Sequence, residues 1–185
     1  MSLVVSEIAK ESSRLYGWLK HVKSVDHHPW LQEQCDRMAP LTLEINQLKR
    51  DKNAIILAHS YVLSQIVYGV ADFKSDSYAL ALEARNSGAE MIIFAGVVFM
   101  GETAKIVCPE AKVYMPDMLA GCSLADALSA DQLRDLKRQH PEAAVVCYIN
   151  STAEVKAESD VCVTSSNVYT IIEKLPQQQI LFVPD

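Results

Sequence analysis

The chain has 185 residues, 50% hydrophobic and 7% aromatic, enough to bury one sizeable core or two small ones and too apolar for a disordered protein. Its formal charge of -6 excludes partners that need a basic face, nucleic acid and anionic membrane above all. The longest apolar run, Met91 to Met100, is about half a membrane span; Glu7, Lys10 and Glu11 break up any secretory h-region. Five cysteines without a CxxC pair suit neither a disulfide framework nor a zinc finger, and a cytoplasmic protein is expected.

Val4, Val5, Ile8, Ser12, Leu15, Tyr16 and Leu19 recur at helical spacing. Leu41, Ile45 and Leu48 repeat it, so residues 1–50 are read as a helical segment with two amphipathic helices. Between them His27, His28, Pro29 and Trp30 read as a surface turn, because proline disfavours helix in the residue before it and adjacent histidines on an irregular segment rarely converge on one ion. From Ala54 the pattern changes to short β-branched runs, AIILA, MIIFAGV, KVYMP, AVVCYI, VCVT and ILFV, separated mostly by helical stretches. That alternation predicts βαβ units, and the continuously apolar strands predict parallel sheets covered on both faces.

Helix punctuation agrees. Asp76 caps a predicted helix from Ser77 to Asn86 that stops at Gly88, and Ser129 with Gln132 makes a capping box for a helix ending before Pro141. FAGVVFMGETAKI and VVCYINSTAEVKA share a strand, a polar turn, Thr-Ala or Ser-Thr-Ala and a lysine, and Pro-Asp pairs follow in VYMPD and FVPD. This weak repeat points to two related α/β domains, over 51–118 and 119–185.

In such sheets, ligands bind beyond the carboxyl ends of the strands. Those ends carry His59, Ser60 and Tyr61, then Pro116 and Asp117, then Tyr148, Asn150, Ser151 and Thr152, then Thr164 to Asn167. Hydroxyl, amide and imidazole groups can together hold a carboxylate or phosphate, although each Ser, Thr or Asn taken alone also reads as an ordinary helix cap. His59 is equally a candidate acid-base group or a simple strand-end residue. Glu102 and Lys105, three apart on a first helical turn, can pair with each other, a reading at least as strong as a direct part in the chemistry. Cys122 precedes a Ser-capped helix and is the best candidate for a metal ligand or reactive thiol, whereas Cys147 and Cys162 fall inside predicted strands.

Taken in order, AHSY, Asp76-Ser77, FMGETAKI, the Cys122-Ser-Leu segment, YINSTAEVKA and VTSSN make the chain similar to the quinolinate synthase family from about Leu41 to Asp185. The resemblance implies repeated three-layer α/β/α units with short parallel sheets, of which a third domain is missing and the second is incomplete. It implies a [4Fe-4S]-dependent transferase of NAD biosynthesis. That enzyme condenses iminoaspartate, supplied by L-aspartate oxidase, with dihydroxyacetone phosphate to quinolinate. Carried over, His59, Ser77, Tyr148, Asn150 and Ser165 would bind substrate oxygens. Tyr148 would donate and accept the proton, with His59 and Tyr61 orienting and relaying. Cys122 would be one of three cysteine ligands that leave one iron of the cluster open as a Lewis acid. Ser60, Leu63 and Ser64 depart from the family pattern, which usually has an aromatic residue at the first and a Pro-Glu-like pair at the others. The remaining cluster cysteines have no counterpart here, so the chain is expected to be inactive without a complementing C-terminal piece. The alternative is a non-catalytic module that binds small anions or phosphometabolites.

Overall fold

The structure is a computed structural model that describes residues 5–24 and 27–184. Val4, at the start of the first predicted helix, and Asp185, of the second Pro-Asp pair, lie outside the described residues. Helix α1 (Val5–Leu19) buries Leu15 and Leu19 against α2 (Gln32–Asp51), and together with Trp30, Cys35 and Ala39 these make a core of their own. The turn between them holds His27 and His28 as read: the His27 amide donates to Ser24 O at 2.9 Å.

The buried face of α2 is not the one the leucines suggested. Cys35, Ala39 and Thr42 are buried, while Leu41 and Leu48 stand 60% and 45% exposed. The helix starts earlier than they do, where the Leu31 amide donates to Gln34 Oε1 at 2.8 Å, and it runs on through Pro40. Proline costs one intrahelical donor there without ending the helix. Small residues four apart at Cys35 and Ala39 then let α1 approach.

The first sheet is built from β1 (Ala54–His59), β2 (Phe73–Ser75), β3 (Met91–Ala95) and β4 (Lys112–Tyr114), all parallel, in the order β2-β1-β3-β4. Helices α3 (Ser64–Gly69), α4 (Ser77–Ser87) and α5 (Val98–Val107) connect them. Leu57 and Ala58, neighbours in β1, are both fully buried, as a strand covered on both faces requires. Asp76 Oδ1 accepts from the Tyr78 and Ala79 amides at 3.0 Å each, and Gly88 closes α4 at φ 62°, the left-handed conformation that favours glycine. Gly101 serves close approach: a Cβ there would lie 2.3 Å from Met115 Sδ.

After α6 (Ala130–Gln139), whose Ser129–Gln132 capping box forms as read, comes a second parallel sheet. It contains β5 (Ala144–Tyr148), β6 (Val161–Val163) and β7 (Ile180–Val183) in the order β6-β5-β7, connected through α7 (Ala153–Ala157) and α8 (Val168–Ile172). The fold class is α/β with short parallel sheets, as expected.

The internal repeat takes a different register from the one the motifs suggested. In each sheet a central strand is followed by an edge strand on one side and then by a strand on the other, so β5 corresponds to β1 and not to β3. The same aspartate clamp marks both. Asp72, just before β2, exchanges two bonds with Ile56, amide to carbonyl and amide to Oδ2, each 2.8 Å. Asp160, just before β6, does so with Val145 at 3.0 and 2.7 Å.

Candidate active site

The chain turns sharply where β1 ends on His59. Ser60 N donates to Ser75 O at 3.1 Å, and Val62 N donates to His59 O at 3.0 Å. Tyr61 is thereby folded over His59, ring centroids 4.0 Å apart at 34°, and its amide donates to His59 Nδ1 at 3.4 Å. A neutral His59 accordingly carries its proton on Nε2. Burial lowers its pKa from the ordinary histidine value against the upward pull of Asp76, so the neutral ring is favoured. Burial likewise raises the Tyr61 phenol; a hydrogen bond with the Val97 backbone opposes this, and charge on Cys122 adds to it. The Tyr61 hydroxyl lies 3.8 Å from Met100 Sδ, and Cys122 packs against the core cluster to which Met100 belongs. Ser77, half-buried, opens α4 directly after the Asp76 cap.

A second group lies at the end of β5. Tyr148 and Ser165 line a pocket of about 350 Å³ together with Leu124, Thr164 and Phe182. Its floor is stiff. Ser151, fully buried, donates to Tyr148 O at 2.6 Å, and Thr164 N donates to Asn167 Oδ1 at 2.7 Å. Asn150 sits half-buried in the intervening turn and is not among the residues lining that pocket. One loop joins the groups, since Cys122 packs on the core cluster that Tyr61 reaches through Met100 and Leu124 lines the Tyr148 pocket.

Cys122 is not at a helix N-terminus. Residues 123–128 are turns, and α6 begins only at Ala130. The loop closes on itself instead, with Cys122 N donating to Asp126 Oδ2 at 3.3 Å and Asp126 N to Cys122 O at 2.9 Å. A carboxylate at this amide takes the place of the helix dipole that was expected to favour the thiolate. Among the described residues, no three His, Cys, Asp or Glu side chains are grouped to hold a metal ion.

Glu102 and Lys105 do not pair, because α5 starts at Val98 and carries them past its first turn. Glu102 Oε2 accepts from the Ala153 amide at 2.8 Å, at the start of α7, while Lys105 Nζ donates to Pro109 O and Ala111 O at 2.7 and 2.9 Å. Lys156 of α7 adds a second bond in the same direction, donating to Thr103 Oγ1 at 2.7 Å and also to Ser151 O at 2.8 Å. Burial lowers the pKa of this ammonium, against the charges of Cys162, Cys147 and Glu102. Sequence reasoning missed these contacts between the two sheets, because the partners lie 51 and 53 residues apart along the chain.

A cleft of about 480 Å³ lies between α4, α5, α7 and β6 and is mainly apolar. Its volume does not make it the site. The strand ends at His59 and Tyr148 carry the imidazole, phenol and hydroxyl groups, and chemistry needs those groups more than it needs space.

Residues 43–185 match the family model described as Quinolinate synthetase A protein. The chain belongs to this family. It is 48% identical to quinolinate synthase of Caulobacter vibrioides over 151 residues, 80% of this chain and 41% of that protein. It is 50% identical to that of Prosthecochloris aestuarii over 156 residues (84% and 48%), and 52% identical to that of Thermus thermophilus over 146 (78% and 47%). It thus spans less than half the length of these quinolinate synthases. No helix among the described residues is long and apolar enough to cross a membrane.

Proposed function

We propose that the chain supplies two walls of a quinolinate synthase pocket, in the cytoplasm, for the condensation of iminoaspartate with dihydroxyacetone phosphate in NAD biosynthesis. The observation that carries this is the loop from Cys122 to Leu124: Cys122 packs on the core cluster whose Met100 the Tyr61 hydroxyl reaches, and Leu124 lines the Tyr148 pocket. Family motifs distant in sequence are thereby linked through one loop.

Within that reading, Nε2–H of a neutral His59 donates to a carboxylate or phosphate oxygen, since Nδ1 already accepts from the Tyr61 amide. The hydroxyls of Ser77 and Ser165 and the Asn150 amide bind further oxygens. Tyr148 gives and takes the proton at its phenol oxygen, on a main chain that Ser151 holds in place. Tyr61 keeps the His59 ring in position and relays protons. Iminoaspartate would come from L-aspartate oxidase.

The residues described here do not by themselves fit a [4Fe-4S] cluster. Cys122 is one donor; Cys35 is buried in the α1–α2 core, Cys108 follows α5, and Cys147 and Cys162 lie in the second sheet. Cys122 is proposed as one ligand of a cluster whose other ligands come from outside these residues. Mixing the chain with the C-terminal portion of a relative, under anaerobic iron and sulfide reconstitution, should yield quinolinate from both substrates. The chain alone should yield none and bind substoichiometric iron. A full cluster on the chain alone would overturn this division of ligands, and no product from the mixture in the presence of a full cluster would overturn the two-wall reading. The second reading, an anion-binding module without catalysis, rests on the same hydroxyl-rich strand ends and predicts phosphometabolite binding unaffected by Cys122→Ser.

A further inference from the structure

Cys147 and Cys162 are register partners on the adjacent parallel strands β5 and β6. Neighbouring strands lie about 4.8 Å apart, inside the Cα separation of about 4.4–6.8 Å that a disulfide spans, and register partners in a parallel pair point to the same face of the sheet. That face is the one α7 covers, and the two thiols differ in access. Cys147 is fully buried with Val145 and Val155, whereas Cys162 is exposed and lines the large cleft beside Lys156. Cys147 Sγ–H is further held by Ser151 Oγ at 3.1 Å.

We propose that Cys147 and Cys162 are a reversible dithiol–disulfide pair, a thiol-modification site opening onto the cleft between α4, α5 and α7, whose oxidant is a low-molecular-weight disulfide. The pair is primed for exchange because its first proton leaves early and its second late. The Cys162 thiol as hydrogen-bond partner, then Ser151, Ser159 and the Lys156 charge, pull Cys147 down to about 6 against burial, and Cys162 is pushed up by the same bond and by burial. One proton is thus shared by two sulfurs, and the accessible sulfur, Cys162, is the one that meets an oxidant.

The balance closes with one oxidant molecule. Cys162 hands its proton to the neighbouring Cys147 thiolate as its sulfur attacks one sulfur of the small disulfide, forming a mixed disulfide and expelling one thiolate. Cys147, giving up its proton, attacks the Cys162 sulfur, the protein S–S bond forms, and the second thiolate leaves. Two electrons pass to the oxidant's S–S bond; the pair's one proton ends on one released thiolate, and solvent protonates the other.

Such a bond ties edge strand β6 to central strand β5 directly below Tyr148 and Thr164, which follow the two cysteines in sequence. The site chemistry proposed above is not needed for it, and its readout is mass, so either reading can fail alone. The test is anaerobic titration of the 185-residue chain with glutathione disulfide, followed by alkylation, non-reducing digestion and mass spectrometry.

The expected result is a linked peptide pair containing Cys147 and Cys162, lighter by two hydrogens than the reduced pair. Cys35, Cys108 and Cys122 should be recovered alkylated, and linkage in the folded chain should form at least about tenfold faster than in urea, as preset geometry demands. Cys162→Ser and Cys162→Ala, both with unchanged far-UV circular dichroism, should abolish linkage and leave Cys147 reduced. A stable glutathione adduct on Cys162 with Cys147 still free, linkage of either thiol to Cys122, or equal rates folded and unfolded would overturn the proposal.

Discussion

Glu102 shows what a single carboxylate does when it reaches out of its own helix. Its Oε2 accepts the first amide of α7, so Glu102→Ala should cost about 0.5–2 kcal/mol, the range for a lost helix cap, read as a lowered urea midpoint; Glu102→Gln, which keeps an acceptor, should lose less. His59 carries a pH signature of the opposite kind. Its folded pKa lies below the unfolded value of about 6.5. The unfolded chain then binds more protons between the two values. Stability from this residue is therefore complete above about 6.5 and is lost as pH falls to the folded value. The His59 Cε1–H resonance should titrate with a midpoint below that of a histidine peptide, and His59→Gln should flatten the acid limb of the stability profile. A midpoint at or above the peptide's would show that burial does not dominate at this ring.

Among the elements, the aspartate clamps before β2 and β6 make the comparison that matters. Removing either leaves a strand amide, Ile56 or Val145, without its carboxylate partner, at a cost of about 1–3 kcal/mol for an unsatisfied buried donor. Asp72 also pairs with Lys49 Nζ at 2.8 Å, a lysine only 12% exposed. Asp72→Ala should accordingly lower the thermal midpoint more than Asp160→Ala does, as circular dichroism can measure. Most of this level was legible in the sequence: the six predicted strands, the Asp76 and Ser129 caps and the stop at Gly88 all form, because each rests on local periodicity or a local hydrogen bond. What escaped was non-local or weakly patterned. β2 is three partly exposed residues with no apolar run to betray it, and the buried face of α2 is set by small residues that read as neutral. Cys122 and the Glu102–Lys105 pair went astray for one reason, since each expectation placed a helix start a turn or more from where it falls.

For the whole molecule, two parallel sheets are held to one another across α5 and α7, where α7 gives both donors, the Ala153 amide and Lys156 Nζ, and α5 both acceptors, Glu102 Oε2 and Thr103 Oγ1. The candidate site uses strand ends from both sheets, so its geometry depends on that seam and not on either sheet alone. This part of the site was visible in the sequence as motifs but not as an arrangement, because the separation of β1 from β5 along the chain says nothing of their distance in space. The seam has an observable of its own. The Ala153 amide is protected from solvent deuterium by a carboxylate from the other half of the molecule, so its exchange rate measures docking directly. It should rise when the halves separate even while every strand stays intact.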